Sequence, residues 1–160
     1  MAEMARTLAP IVQDAGALLF VNDRLDVAMA AGADGVHLGP DDLPVAAARR
    51  VAPAGFLIGA STDDPAEAQR LVSAGADYIG CGAVYQTSTK ADAGHAIGPE
   101  GLRRVVDAVD VPVVGIGGVT PERAAEVAGT GAAGAAAIGA LMRADDVGDM
   151  VRAFLEPWSA

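Results

Sequence analysis

Lysine is nearly absent from this 160-residue sequence, in which ten arginines are accompanied by the single lysine Lys90. Cysteine is just as rare, and because Cys81 has no second thiol in the chain, an internal disulfide is excluded. Aromatic residues make up only 4% of a composition that is 52% hydrophobic. The core of the protein must therefore be built from Ala, Val, Ile and Leu.

Long apolar runs are also missing. No stretch approaches the ~20 apolar residues that a helix needs to cross a bilayer. The opening "MAEMARTLAP" has no basic region followed by an apolar core, so we expect no secretory signal. Together with the lone cysteine, these features predict a cytoplasmic protein without a membrane partner.

The net charge of −10 indicates a protein surface with few positively charged side chains. It argues against nucleic acid as a partner, because such binding needs clustered lysine and arginine. The net charge also means that an anionic ligand must be bound by a local group of residues, because the overall electrostatic field of the protein repels it.

Six apolar runs separated by helical patterns indicate repeated β-α units. The runs are apolar throughout rather than alternating, which is typical of parallel strands covered on both faces. The predicted strands are 17–21, 35–38, 56–60, 78–84, 111–116 and 134–139, and the predicted helices lie near 24–31, 44–52, 65–74, 99–109, 121–129 and 146–155.

The chain opens with a further helical pattern, residues 2–15, which we expect Pro10 to interrupt. We expect one domain, 1–160, of the α/β class. A (β/α)₈ barrel needs eight strands and about 250 residues, so six of eight units are predicted here.

Polar residues and glycines gather where the predicted strands end. In parallel α/β folds the ligand lies beyond the carboxyl ends of the strands, so these positions predict the site. The residues are Asn22, Asp23, Asp42, Ser61, Thr87, Thr89, Lys90, Gly117, Gly118 and Gly139.

Each group of these residues suits part of an anionic ligand. Asp23 and Asp42 are hard oxygen ligands able to share Mg²⁺ with a diphosphate, although Asp42 could equally cap a helix. Gly117 allows backbone N–H groups to approach phosphate, or serves only a tight turn. Lys90 offers a compact cation beside threonine hydroxyls, or is a solvated loop residue.

Three other residues carry weaker signals. Cys81 lies inside a predicted strand and is expected to be a core residue. His37 lies on a predicted strand, and we expect no carboxylate and serine to accompany it as a hydrolytic triad would require. His95 lies in the loop "ADAGHAIG" and is expected to be solvated, with no role assigned.

Four motifs in order resemble the thiamine-phosphate synthase family. They are "VNDRLDVAMAAGADGVHLGPDDLP", "IGAST", "GADYIGCGAVYQTSTK" and "VPVVGIGGVTPERAAEV", and the match runs over residues 15 to 142. The resemblance implies a TIM barrel that joins hydroxymethylpyrimidine diphosphate to thiazole phosphate, releasing diphosphate. It also implies that the six predicted strands are the family's strands three to eight, with the N-terminal strand-helix-strand expected to be missing.

The resemblance carries roles onto matching positions. Asn22 and Lys90 would contact the pyrimidine diphosphate, Ser61 would lie at the pyrimidine, and Lys90 and Ser61 form the expected catalytic set. Asp23 and Asp42 would hold Mg²⁺. The thiazole phosphate would be received by Thr87, Thr89, Gly117, Ile138 and Gly139, where the family has a serine in place of Gly139.

Two alternatives to the synthase stay open, as does association into homo-oligomers. The first is a non-catalytic or altered phosphate-binding relative, acting as a subunit or as a shortened paralogue. The second is a thiazole tautomerase, which is disfavoured because that relative has a histidine near position 83, where this chain has Ala83.

Overall fold

The computed structural model describes residues 1–87 and 95–159. The described strands are β1 Phe20–Asn22, β2 Gly35–Leu38, β3 Leu57–Ser61, β4 Tyr78–Cys81, β5 Val113–Ile116 and β6 Gly134–Ala136. The described helices are α1 Ala2–Asp14, α2 Leu25–Ala31, α3 Val45–Val51, α4 Pro65–Ser73, α5 Gly98–Val106, α6 Pro121–Ala128, α7 Gly139–Met142 and α8 Val147–Leu155, followed by a 3₁₀ turn at Glu156–Trp158.

The chain divides into two compact units. The first comprises Met1–Ser61 and Arg70–Tyr78, and the second comprises Thr62–Gln69 and Ile79–Ala160. Within the described ranges, no helix has both the length and the apolar composition required to cross a membrane.

In the first unit, β1, β2 and β3 form parallel pairs. Asn22 is level with His37, and His37 is level with Gly59. Because parallel strands run in one direction, their carboxyl ends share one edge of this three-stranded arrangement. Val36 in β2 and Ile58 in β3 are fully buried, as the apolar composition of these strands predicts.

Two aromatic rings of the first unit lie over strand glycines. A Cβ at Gly59 would come within 2.1 Å of Tyr78 Cζ, and one at Gly35 within 2.4 Å of Phe20 Cε1. The two rings meet edge to face with their centroids 5.2 Å apart. The missing side chains of Gly35 and Gly59 therefore make the space in which Phe20 and Tyr78 pack.

The second unit repeats the parallel arrangement with β4, β5 and β6. Its interior contains Ile79, Leu102, Val105 and Val127, each with 0% exposure. Cys81 is also fully buried, which confirms it as a core residue.

The structure corrects several predicted boundaries; the fourth strand, for example, ends at Cys81 rather than at residue 84. Pro10 does not interrupt α1, because it lies on the exposed side of the helix, where solvent can hydrate the carbonyl that loses its partner. The first strand begins at Phe20 rather than at residue 17, since Leu18 is exposed and the Leu19 N–H bonds the Asp34 side chain. The last strand ends at Ala136, and the sequence analysis missed α7 just beyond it.

Candidate functional site

Asn22 and Asp23 lie at the carboxyl end of β1, where the backbone turns sharply. Asn22 is the last residue of the strand rather than a residue after it. Asp23 has a φ of 67°, unlike any other described non-glycine residue, and its N–H donates to the His37 carbonyl over 2.8 Å. Aspartate tolerates this left-handed conformation better than most residues, and non-glycine residues held in it cluster at functional sites.

Asp42 stabilises the turn that follows β2. Its Oδ2 accepts a hydrogen bond from the Gly39 N–H over 2.7 Å. The next helix, α3, begins three residues later behind Pro44, without a side-chain cap. The alternative of Asp42 as a helix cap is therefore wrong, because its carboxylate is bound to the turn and not to the helix.

His37 is the centre of the first unit's polar group. Its Nε2 lies 2.7 Å from Ser61 Oγ, and its Nδ1 lies 2.8 Å from Tyr78 Oη. Burial lowers the pKa of the imidazole, while the negative charges of Asp23 and Asp42 act in the opposite direction. Both aspartates thus lie within electrostatic reach of the same ring.

The expectation that no serine accompanies His37 is wrong, because Ser61 is its hydrogen-bond partner. Ser61 is 24 residues away in sequence and Tyr78 is 41 residues away, so proximity along the chain gives no hint of either contact. The signal that could have found Ser61 is strand register. Gly59 is level with His37, and residues i and i+2 of a strand share one face, which places Ser61 beside the ring.

In the second unit, Gly117 and Gly118 form a tight turn after β5 with φ values of 96° and 63°. A Cβ at Gly117 would lie 2.8 Å from Ala83 Cα, and one at Gly118 would lie 2.5 Å from the Gln86 carbonyl oxygen. The turn therefore requires glycine for steric reasons, and this leaves its phosphate-binding role a prediction.

An arginine missed by the sequence analysis fixes this turn. Arg123 Nη1 donates to the Gly118 carbonyl over 2.8 Å, and the guanidinium carbon lies 4.5 Å from the Tyr85 ring centroid. The Tyr85 N–H in turn donates to the Gly117 carbonyl. With those carbonyls occupied, the turn is held in one conformation.

The remaining predicted residues of the second unit lie after β4 and β6. Thr87 is half-buried in the loop after β4, and Ile138 is 57% exposed just before α7. Gly139 begins α7, and a Cβ built there would lie 2.9 Å from an Arg143 guanidinium nitrogen. Thr89 and Lys90 lie outside the described residues, whereas His95 is exposed as expected.

Within residues 1–87 and 95–159, no cluster of three His, Cys, Asp or Glu side chains is arranged to hold a metal. Mg²⁺ does not require such a cluster, because it usually keeps water and binds through one or two carboxylates together with substrate phosphates. The pair Asp23 and Asp42 fits that mode of binding.

Comparisons with known proteins agree with this architecture. The sequence profile of the Thiamine monophosphate synthase family matches residues 1–141. A thiamine biosynthesis bifunctional protein, ThiM/ThiE, from Symbiobacterium thermophilum is 57% identical over 88% of this chain. The thiamine-phosphate synthase of Archaeoglobus fulgidus is 49% identical over 98% of it.

The fold has a close counterpart among solved structures. The thiamine phosphate pyrophosphorylase of Pyrococcus furiosus superposes with a TM-score of 0.89 at 44% identity, covering 98% of this chain and 74% of that one. The present chain spans 29% of the bifunctional Symbiobacterium protein and 73% of the Archaeoglobus synthase. The fold is of the TIM-barrel type with six β-α units, and the chain belongs to the thiamine monophosphate synthase family.

Proposed function

We propose that this chain acts as a Mg²⁺-dependent transferase that couples hydroxymethylpyrimidine diphosphate to thiazole phosphate. The products are thiamine phosphate and diphosphate. The observation that carries the proposal is the polar group around His37 at the carboxyl edge of β1–β3, in a chain of this family.

The pyrimidine half of the reaction uses residues of the first unit. When the bond between the pyrimidine methylene and the diphosphate breaks, positive charge develops on that carbon and negative charge on the departing oxygens. Ser61, half-buried at the end of β3, supplies a hydroxyl to the pyrimidine. The exposed Asn22 amide offers both a donor and an acceptor to the diphosphate.

Asp23 and Asp42 would hold the metal. Asp23 is exposed and Asp42 is half-buried, and the two residues follow neighbouring parallel strands, which supports a shared site at this edge. Mg²⁺ held by these two carboxylates would supply positive charge to the diphosphate oxygens. Lys90 adds a second cation in the same role, stabilising the transition state more than the ground state.

The thiazole half would use residues of the second unit. The N–H groups around Gly117 and Gly139, with the Thr87 and Thr89 hydroxyls and the backbone at Ile138, receive the phosphate. Holding the phosphate fixes the thiazole so that its nitrogen attacks the pyrimidine carbon, and positioning of this kind lowers the barrier without any covalent enzyme intermediate.

The same proposal places the chain in the cytoplasm with small-molecule substrates and without a nucleic-acid partner. The net charge of −10 and the single buried cysteine support it.

The substitution Asp42→Asn tests the metal assignment. An asparagine oxygen can still accept the Gly39 N–H, so the variant removes charge while keeping the turn. We expect kcat/KM to fall by at least about tenfold, the scale of one lost charge-assisted contact, and the Mg²⁺ requirement to rise.

The neighbouring exposed Asp41 offers a matched control, and Asp41→Asn should retain wild-type kinetics. Thiamine phosphate is measured in the presence of both substrates over a Mg²⁺ titration. Equal kinetics for the two variants would remove Asp42 from the metal site. Retained binding of thiazole phosphate without product from the wild-type chain would favour a phosphate-binding relative instead.

A further inference from the structure

Three side chains of the first unit form one hydrogen-bonded chain. The Tyr78 hydroxyl lies 2.8 Å from His37 Nδ1, and His37 Nε2 lies 2.7 Å from Ser61 Oγ. Ser61 is at the carboxyl end of its strand, where the proposed pyrimidine binds, whereas Tyr78 is at the start of β4. The imidazole thus links a half-buried phenol to the hydroxyl that faces the ligand.

Packing holds the Tyr78 phenol, at one end of this series of hydrogen bonds, in place. The Tyr78 ring lies over the bare backbone of Gly59 and meets Phe20 edge to face. It also lies beside the imidazole, with ring centroids 5.4 Å apart. A side chain enclosed in this way has few alternative rotamers, so its hydroxyl remains directed at His37.

The direction of the hydrogen bonds follows from the partners that each group has. In the part of the chain that the structure describes, His37 Nδ1 is the acceptor that the Tyr78 hydroxyl reaches. If Tyr78 donates to Nδ1, the neutral imidazole carries its proton on Nε2 and donates it to Ser61 Oγ. In the opposite direction the half-buried Tyr78 O–H would have to find its acceptor in solvent, since no second protein acceptor is recorded for it among the described residues, which is less favourable.

We propose that His37 is a positioning residue, held as the Nε2–H tautomer by Tyr78, that donates to Ser61 Oγ and directs the Ser61 O–H toward a ring nitrogen of the bound pyrimidine. The inference rests on the proposed function for the identity of the ligand. With one of its two lone pairs engaged by His37, the Ser61 O–H has fewer directions available, which suits donation to the acceptor nitrogens of an aromatic heterocycle.

The electrostatics of the site agree with uncharged side chains at Tyr78 and His37. Burial lowers the pKa of His37, although the charges of Asp23 and Asp42 oppose the shift, and burial raises the pKa of Tyr78 to about 12. Burial thus favours the uncharged form of both rings, while the pattern of donors itself rests on the two contact distances.

The tautomer is measured directly on the whole chain without ligand. Long-range ¹H–¹⁵N spectra of histidine rings distinguish Nε2–H from Nδ1–H, and only two histidines are present, His37 and the exposed His95. We expect His37 to be the Nε2–H form and to become a mixture of tautomers in Tyr78→Phe. Tyr85→Phe, at the only other tyrosine, removes a hydroxyl bound to Glu126 and should leave the His37 signals unchanged.

Calorimetric binding of hydroxymethylpyrimidine diphosphate tests the link to Ser61. Tyr78→Phe should weaken binding about two- to tenfold, the effect of one neutral hydrogen bond, and so should Ser61→Ala. Because Tyr78 acts through Ser61, the double variant should bind no more weakly than Ser61→Ala alone. His37→Gln, which keeps an N–H donor near Nε2, should retain more affinity than His37→Ala.

The outcomes separate this inference from the proposed function. A His37 spectrum that shows Nδ1–H, or that Tyr78→Phe leaves unchanged, overturns it. So do multiplicative losses in the double variant, or no binding of the pyrimidine diphosphate at all. Binding that follows the expected pattern without formation of thiamine phosphate would refute the synthase activity and leave the role of His37 intact.

Discussion

The substitution Gly59→Ala tests whether the bare backbone of β3 is required by the Tyr78 ring. A Cβ at this position would lie 2.1 Å from Cζ, 2.2 Å from Cε1 and 2.5 Å from the hydroxyl oxygen of Tyr78. Contacts this short are not tolerated, and Gly59 is buried within a paired strand. The ring must therefore leave its position, since the strand backbone is fixed by its hydrogen bonds.

The expected cost has two parts. Overpacking in a close-packed interior costs about 1–3 kcal/mol. Displacing Tyr78 also removes its edge-to-face contact with Phe20, which is worth about 0.5–1.5 kcal/mol. The sum is about 1.5–4.5 kcal/mol, which corresponds to a melting temperature lower by about 3–18 °C for a domain of this size.

Thermal unfolding followed by circular dichroism measures this shift. Gly134→Ala is a matched control, because Gly134 is also a strand glycine but a Cβ there has no neighbour within 4 Å. We expect the control to melt close to the wild type or slightly above it. Equal melting temperatures for Gly59→Ala and Gly134→Ala would show that the Tyr78 ring does not lie over Gly59. The Tyr78–His37 contact, which depends on that ring position, would then be refuted as well.

Two further predictions concern the lone lysine and the lone cysteine. Lys90→Ala should lower kcat/KM for the pyrimidine diphosphate about tenfold to a hundredfold in steady-state kinetics. Lys90→Arg should also impair turnover, because the planar guanidinium of arginine does not replace the compact charge of an ammonium group. Unchanged values would show that Lys90 is a loop residue without a role in binding. Cys81 is fully buried and burial raises its pKa to about 12, so the reactive thiolate is scarce even at pH 9. A thiol reagent should label Cys81 slowly in the native protein and rapidly in denaturant, and fast native labelling at pH 8 would contradict its place in the core.

Much of the fold could be predicted from the sequence. All six strands and the helices after each of the first five overlap the ranges predicted from the apolar runs and turn signals, although several of their ends differ, and the family and fold class are confirmed. The helix predicted near 65–74 begins at Pro65, and the Asp64 carboxylate accepts the Glu67 N–H at the start of α4. Local patterns succeed here because buried parallel strands and helix starts each depend on neighbouring residues in sequence.

The sequence also located the candidate residues at strand ends, but it did not resolve their contacts. Whether Asp42 caps a helix or stabilises a turn depends on where α3 begins, and local propensity places such boundaries poorly. The roles assigned to Asn22, Asp23 and Lys90 remain predictions.

The sequence by itself determined the β-α order, the apolar core and the family, because these follow from the periodicity of apolar residues, from the composition and from the motifs, respectively. Only the tertiary structure decided that His37 lies between Ser61 and Tyr78, 24 and 41 residues away. That grouping depends on strand register and on glycines that let two rings pack over the sheet. Register is a relation between distant segments, so it exists only once the strands have paired.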